Sequence, residues 1–322
     1  MESIRKYKAE FEEYLEKEVM IKEPEGLYSP IAYITGIGGK RLRPILTLWG
    51  CELFGGTVRK AYPAALAVEV FHNFTLVHDD IMDSAPVRRG QPTVHKKWDV
   101  NTAILSGDAM MILAYRYLES YQGAILERLL RLFNQTALEV CEGQQKDMDF
   151  ETMQEVSIDD YLTMISLKTS VLIGAALKMG AIVAGADEVS AQKLYDFGMH
   201  LGMAFQLQDD YLDTFGGAEF GKRIGGDIEE NKKTYLYLKT LELADKEDTS
   251  ALLKLYESGT KETEKVERVT ELFKKYNIQK HTLDTIKHYT AKAFSALETL
   301  SLSQANKAAL REFGNGLMER TM

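Results

Sequence analysis

Two short acidic patterns stand out by residue type and spacing. Asp79, Asp80 and Asp83 form DDIMD, and Asp209, Asp210 and Asp213 form DDYLD. Positions i and i+4 of an α-helix differ by about 40° of rotation, so the first and last aspartates of each pattern share a face. The preceding stretches, FHNFTLV (71–77) and GMAFQLQ (202–208), are largely apolar and predict buried helices, with Pro86 and Gly216 signalling loops afterwards. Each trio therefore falls at the C-terminal end of a core helix. The helix dipole disfavours carboxylates there, and like charges at i,i+4 repel. A cation must compensate. Oxygen ligands on one helix face suit Mg²⁺, which takes one or two carboxylates together with substrate phosphates. A solvated acidic helix end accounts for one such pattern but not for two, each behind an apolar helix.

The basic residues that could hold an anion sit in turns flanked by glycine or proline. They are Lys40, Arg41 and Arg43 in GGKRLRP (38–44), Arg88 and Arg89 before Gly90, Lys222 and Arg223 after Gly221, and Lys232 and Lys233 after Asn231. Arginine offers a planar fork and lysine a point charge, the usual pair for gripping phosphate oxygens. Neither G-x-x-x-x-G-K-[ST] nor G-x-G-x-x-G is present, which excludes the common nucleotide loops. Two acidic trios beside several basic turns suggest two anions, one bridged by metal and one gripped directly.

The elements that must position these groups are helical. All six prolines lie between Pro24 and Pro92, so the 322 − 92 = 230 residues that follow have none. Helical spacing recurs in Val68, Phe71, Phe74 and Thr75, and in Leu126, Leu129, Leu130 and Phe133. Loop signals at 36–44, 84–92, 215–227 and 257–262 leave no linker long enough to separate domains. The expectation is one all-α bundle over residues 1–322, with the Lys- and Glu-rich stretch 242–276 as solvated peripheral helices.

Composition sets the bounds. The fractions of hydrophobic (45%) and charged (27%) residues are those of a globular protein, which excludes disorder and disulfide scaffolds. A net charge of −9 argues against nucleic acid or an anionic membrane as partner. Two cysteines, Cys51 and Cys141, point to a reducing compartment. The charged N-terminus (MESIRKYKAEFEEYLEKEV) has no apolar signal region, and no uncharged apolar run reaches about 18 residues. The expectation is a cytoplasmic protein without a membrane span.

The order and spacing of GGKRLRP, FHNFTLVHDDIMD, RRG, GQ (143–144), KTS (168–170), FQLQDDYLD and GK…GGDIEENKK closely resemble the trans-isoprenyl diphosphate synthases, the polyprenyl synthetase family. The resemblance covers nearly the whole chain. It implies an all-α bundle around a deep central cavity, a homodimer, and head-to-tail condensation of isopentenyl diphosphate with an allylic diphosphate. It further implies that Asp79, Asp80, Asp83, Asp209, Asp210 and Asp213 hold three Mg²⁺ ions, with Mn²⁺ able to substitute. Lys40, Arg43, His72 and Arg89 would bind isopentenyl diphosphate. Arg88, Lys168, Lys222 and Lys232 would reach the allylic diphosphate, while Lys168, Thr169 and Gln206 would serve catalysis. His78 and His95 read as satisfied core histidines.

The same resemblance places the growing chain along the helix that bears the first trio, where an isoprene unit spans roughly one turn. Phe74, with Thr75 and Phe71, would form a floor. An uninterrupted DDxxD below an aromatic residue implies a C20 product first and C15 next. A class I terpene cyclase would replace the second trio and lack Lys40 and Arg43. A phosphohydrolase built on His78-Asp79 would need further histidines, and a degenerate regulatory subunit would have lost motif aspartates.

Overall fold

The computed structural model describes residues 2–216, 225–257 and 262–319. The described residues are helical nearly throughout. In chain order the helices are α1 (Glu2–Glu18), α2 (Glu25–Gly36), α3 (Leu42–Leu53), α4 (Tyr62–Met82), α5 (Val94–Lys97), α6 (Val100–Leu118), α7 (Gly123–Thr152), α8 (Ile158–Ile165), α9 (Val171–Val183) and α10 (Glu188–Phe215). Then come α11 (Gly226–Glu229), α12 (Tyr235–Leu243), α13 (Lys246–Glu257), α14 (Glu262–Lys275), α15 (Ile278–Glu298) and α16 (Gln304–Met318). A π turn, Ser166–Ser170, joins α8 to α9. Among the described residues the one departure from all-α is a two-stranded hairpin, β1 (Val87–Arg88) with β2 (Gln91–Pro92), which presents the RRG turn. Prolines punctuate the early chain as expected, except Pro30, which lies inside α2.

The chain forms two compact units, Met1–Asn134 with Ala175–Tyr195, and Gln135–Gly174 with Asp196–Met322. In the first, α4 is buried along most of its length, from Ala64 through Phe71 and on to Asn73, Val77 and Asp80. A helix apolar on nearly every side belongs inside a core, and α4 packs against α3 and α6. The lone acid in its apolar run, Glu69, meets Arg41 Nη1 at 2.6 Å with both side chains buried. In the second unit a core gathers Tyr161, Ile165, Leu207, Leu236, Phe273 and Ile286 from α8, α10, α12, α14 and α15.

The stretch 242–276 is amphipathic rather than merely solvated. It buries Leu252, Leu255, Val269, Phe273 and the charged Lys265. The helical stretch Ile158–Val183 is long and apolar enough to cross a membrane, yet 78% of its apolar window is buried inside the protein. It is a core helix, not a membrane span.

Candidate active site

In the first unit the basic residues of GGKRLRP separate by direction. Arg41, with φ 51°, turns inward to Glu69 and also donates to the Thr35 carbonyl at 2.5 Å. Lys40 is exposed. Arg43 opens α3 and brings Nη1 to 3.1 Å from His72 Nε2 on α4. Arg89, at the hairpin turn, donates to the Gly38 carbonyl. Burial drives His72 well below the ordinary histidine range, and the charges of Arg43, Arg89, Arg88 and Arg41 push the same way. Arg89 is itself lowered by burial and by Arg41 and Arg88, against an opposing pull from Glu69. His72 is therefore neutral in the physiological range, amid a crowd of guanidinium groups that an anion would relieve. The structure thus brings Arg43, His72 and Arg89 together.

Two turns beyond His72 the α4 helix reaches its acidic trio, with Asp83 as its C-cap. Arg88 holds Asp80 in a bidentate grip, Nε to Oδ1 at 2.8 Å and Nη2 to Oδ1 at 2.7 Å, with Nε also 3.0 Å from Oδ2. Asp79 lies 3.8 Å from the same guanidinium. Asp80 is 1% exposed, and burial raises its pKa although Arg88 opposes the shift. The cation demanded by the helix dipole is thus partly supplied by Arg88.

Upstream, Phe74 is half-buried. Its ring lies 5.6 Å from that of Phe71 and 4.8 Å, edge on, from that of His78. Phe71 is fully buried and rests on Phe133 at 5.2 Å. Thr75 turns its hydroxyl back to the His72 carbonyl. His78 Nε2 lies 3.2 Å from the Ile104 carbonyl, which satisfies it. His95 is buried too, but neither ring nitrogen has a hydrogen-bond partner, so its expected satisfaction fails.

In the second unit the central carboxylate of the trio near the end of α10, Asp210, is held by neutral donors. Tyr161 donates its hydroxyl to Asp210 Oδ2, and Gln206 Nε2 donates to Oδ1 at 2.9 Å. Thr169, in the π turn, donates to Gln206 Oε1 at 3.0 Å. Burial raises Asp210 to about 7 against those hydrogen bonds. Lys168, beside Thr169, pairs with Asp147 at 2.5 Å. The turn sits where it does because two helices meet it with glycine. A Cβ at Gly143 of α7 would lie 2.3 Å from the Lys168 nitrogen, and one at Gly202 of α10 would lie 2.8 Å from Ser170 Cα.

The segment after the trio folds back on it. The Asp227 N–H donates to Asp213 Oδ2 at 2.9 Å. Burial, then Asp210 and Asp213, push Asp227 well above the usual carboxylate range. Burial opposes the charge of Lys232, yet Asp227 and Glu230 hold its pKa above the ordinary value. Lys222 and Arg223 lie outside the described residues.

Tyr161, Asp147 and Asp227 all contact or crowd the expected residues but were not singled out in the sequence. Asp227 had a signal, a carboxylate inside GGDIEENKK. Asp147 lies one turn after Gly143 on the same helix face, a weaker clue. A buried tyrosine such as Tyr161 is indistinguishable in sequence from core.

The fold is the all-α fold of the isoprenoid synthases. It matches a crystal structure of a geranylgeranyl pyrophosphate synthase with TM-score 0.95 at 52% identity, covering 99% of both chains. The geranylgeranyl diphosphate synthase of Sulfolobus acidocaldarius is 38% identical over 85% of this chain and 84% of its own length. The geranylfarnesyl diphosphate synthase of Natronomonas pharaonis is 39% identical over 70% of this chain and 72% of its own. The polyprenyl synthetase family model matches residues 24–273. The chain belongs to the polyprenyl synthetase family and is a short-chain trans-prenyltransferase. Neither the cyclase nor the regulatory-subunit alternative is favoured.

Proposed function

We propose that the enzyme condenses isopentenyl diphosphate head to tail with dimethylallyl, geranyl and farnesyl diphosphates and stops at C20. The observation that carries this reading is the neutral His72 among Arg43, Arg88 and Arg89, two turns from an aspartate trio. It supports a subsite gripping one diphosphate directly beside carboxylates suited to a second diphosphate brought with metal. Lys40, Arg43, His72 and Arg89 bind isopentenyl diphosphate. Arg88, Lys168, Lys222 and Lys232 bind the allylic diphosphate.

The family is generally Mg²⁺-dependent, and the donor set fits that ion. Among the described residues no three carboxylate, imidazole or thiolate groups gather to enclose a cation unaided. That suits an ion which completes its shell with substrate phosphates. Asp79, Asp80, Asp83, Asp209, Asp210 and Asp213 would hold Mg²⁺, three ions in this reading, with Mn²⁺ able to replace them. Bound there, Mg²⁺ would neutralise charge developing on the leaving diphosphate.

The lysines and Arg88 stabilise the diphosphate as the allylic C–O bond breaks and its electrons pass to oxygen. Thr169 and Gln206 turn oxygens toward the developing carbocation. The apolar wall of α4 excludes water, the π-bond of isopentenyl diphosphate attacks, and the proton passes to the released pyrophosphate. Phe74, with Phe71 behind it and Thr75 beside it, forms the floor that ends growth.

Two further readings belong to the proposal. The two compact units form one polyprenyl synthetase domain, since α7, α9 and α10 each contribute residues to both. The protein is a cytoplasmic homodimer. Ile104, Leu105 and Ile112 of α6 are 42%, 60% and 62% exposed, and such a stripe favours a partner surface. Free Cys51 and Cys141 suit a reducing compartment.

The test incubates the protein with Mg²⁺, labelled isopentenyl diphosphate and each allylic primer, then sizes the dephosphorylated products. A C20 alcohol, lost on chelation, is expected. Products of C30 or more would overturn the floor, and a cyclic hydrocarbon would overturn the reaction itself.

A further inference from the structure

Behind the second aspartate trio lies a buried cation that no motif announces. Lys265, on α14, is 3% exposed. Its ammonium donates to the Ile228 carbonyl and to Asn231 Oδ1, both at 2.5 Å, and lies 3.4 Å from the Glu229 carbonyl. An ammonium has three donors, so all are engaged. Ile228 and Glu229 close α11, a single turn, and the Ile228 carbonyl takes the Asn231 N–H at 3.2 Å as well as the ammonium. Asn231 follows in the left-handed region at φ 60°. The neighbouring Val266 presses on the same segment, where a Cβ at Gly225 would strike its Cγ1 at 2.5 Å.

This segment supports the site. The Gly225 N–H donates to the Asp213 carbonyl at 2.7 Å, and the Lys232 N–H donates to the Asp227 carbonyl at 2.9 Å. The Asp227 N–H donates to the Asp213 carboxylate. Burying an ammonium is costly unless its hydrogen bonds are made. Leucine would fill the same volume without that cost, so packing alone does not account for a lysine. What lysine adds is a three-way clasp on the segment between Asp227 and Lys232, through two backbone carbonyls and the Asn231 side chain.

We propose that Lys265 is a positioning residue for the condensation. Through residues 225–232 it fixes Asp213, Asp227 and Lys232 for the metal-bound diphosphate, without touching any reacting group. This rests on the function proposed above.

The test titrates Mg²⁺ with inorganic pyrophosphate into the full chain by calorimetry, comparing wild type, Lys265→Met and Lys307→Met. Lys307 is a matched control, since it is 8% exposed and donates to the Glu298 carbonyl at 2.8 Å, where it supports only the α15–α16 turn. Both variants should melt earlier. Lys265→Met alone should bind magnesium pyrophosphate about tenfold more weakly, the scale of a lost outer-shell contact. It should also raise KM for the allylic primer and leave KM for isopentenyl diphosphate unchanged. Unaltered affinity in Lys265→Met, or equal weakening in both variants, overturns the proposal.

Should Lys265→Met fail to fold, Asn231→Gly decides. It removes one acceptor at a φ that suits glycine, and affinity should fall about threefold. Unchanged affinity overturns the clasp. A wild type that binds no magnesium pyrophosphate at all would remove the functional reading as well.

Discussion

The two aspartate trios share one spacing and differ in how the protein supports them. At the end of α4 the central carboxylate, Asp80, is gripped by a charge, the Arg88 guanidinium. Near the end of α10 its counterpart, Asp210, is held by the neutral donors Tyr161 and Gln206 and sits near 7. The first pairs a buried charge with its opposite. The second leaves a buried acid that shares its site with a proton near neutral pH. Equal motifs therefore do not mean equal electrostatics, because the surrounding shell decides which charge is tolerated.

The largest effect should show the trios as equals in function. Asp80→Asn and Asp210→Asn should each lower kcat/KM by about 10²–10³-fold, the scale of losing one preorganised charge contact. A loss confined to one variant would break the symmetry of roles. Product length should instead belong to the first region alone. Phe74→Ala should lengthen the product by at least one isoprene unit in product sizing, and an unchanged distribution would move the floor elsewhere.

Stability should divide the trios by sign. In chelator, Asp80→Asn should lower Tm because it strands the Arg88 guanidinium, at about 1–3 kcal/mol. Asp210→Asn should do the reverse at high pH. With a folded pKa near 7 against 3.8, folded Asp210 keeps protons that the unfolded chain releases. Its contribution to stability therefore declines as pH rises from about 4 to 7. Asp210→Asn should raise Tm near pH 8 and show no gain near pH 4, and a drop at both would contradict the contrast.

The smallest change should come from Tyr161→Phe. Its hydroxyl holds Asp210 down, so losing it should move the acid limb of kcat/KM to higher pH. The rate near pH 8 should stay within about threefold of wild type. A shifted basic limb instead would detach Tyr161 from Asp210.

Much of this was legible because it is local. The i,i+4 aspartates, the apolar runs before them and the clustering of prolines all act within one helix or turn, so spacing reports them. The roles within GGKRLRP were not separable, because Arg41 and Arg43 differ only in what α4 offers each, Glu69 to one and His72 to the other. A single glutamate inside AALAVEVF was the clue to that buried pair. Tyr161 and Lys265 left no trace, since their partners are distant in sequence and a Lys- and Glu-rich stretch reads as solvated. The π turn was invisible for a related reason. The close approach it needs depends on two glycines on neighbouring helices, far from SLKTS in sequence.

That turn also fixes the length of the chain here. A π turn holds one residue more than the α-helix it interrupts. Deleting any one residue between Ser166 and Ser170 would restore a regular helix and re-aim the side chains that the wider turn now presents. Lys168 and Thr169 could then not both keep Asp147 and Gln206 as partners. Substitutions can drift through this stretch, but insertions and deletions cannot, so among working descendants of this sequence it should evolve at constant length.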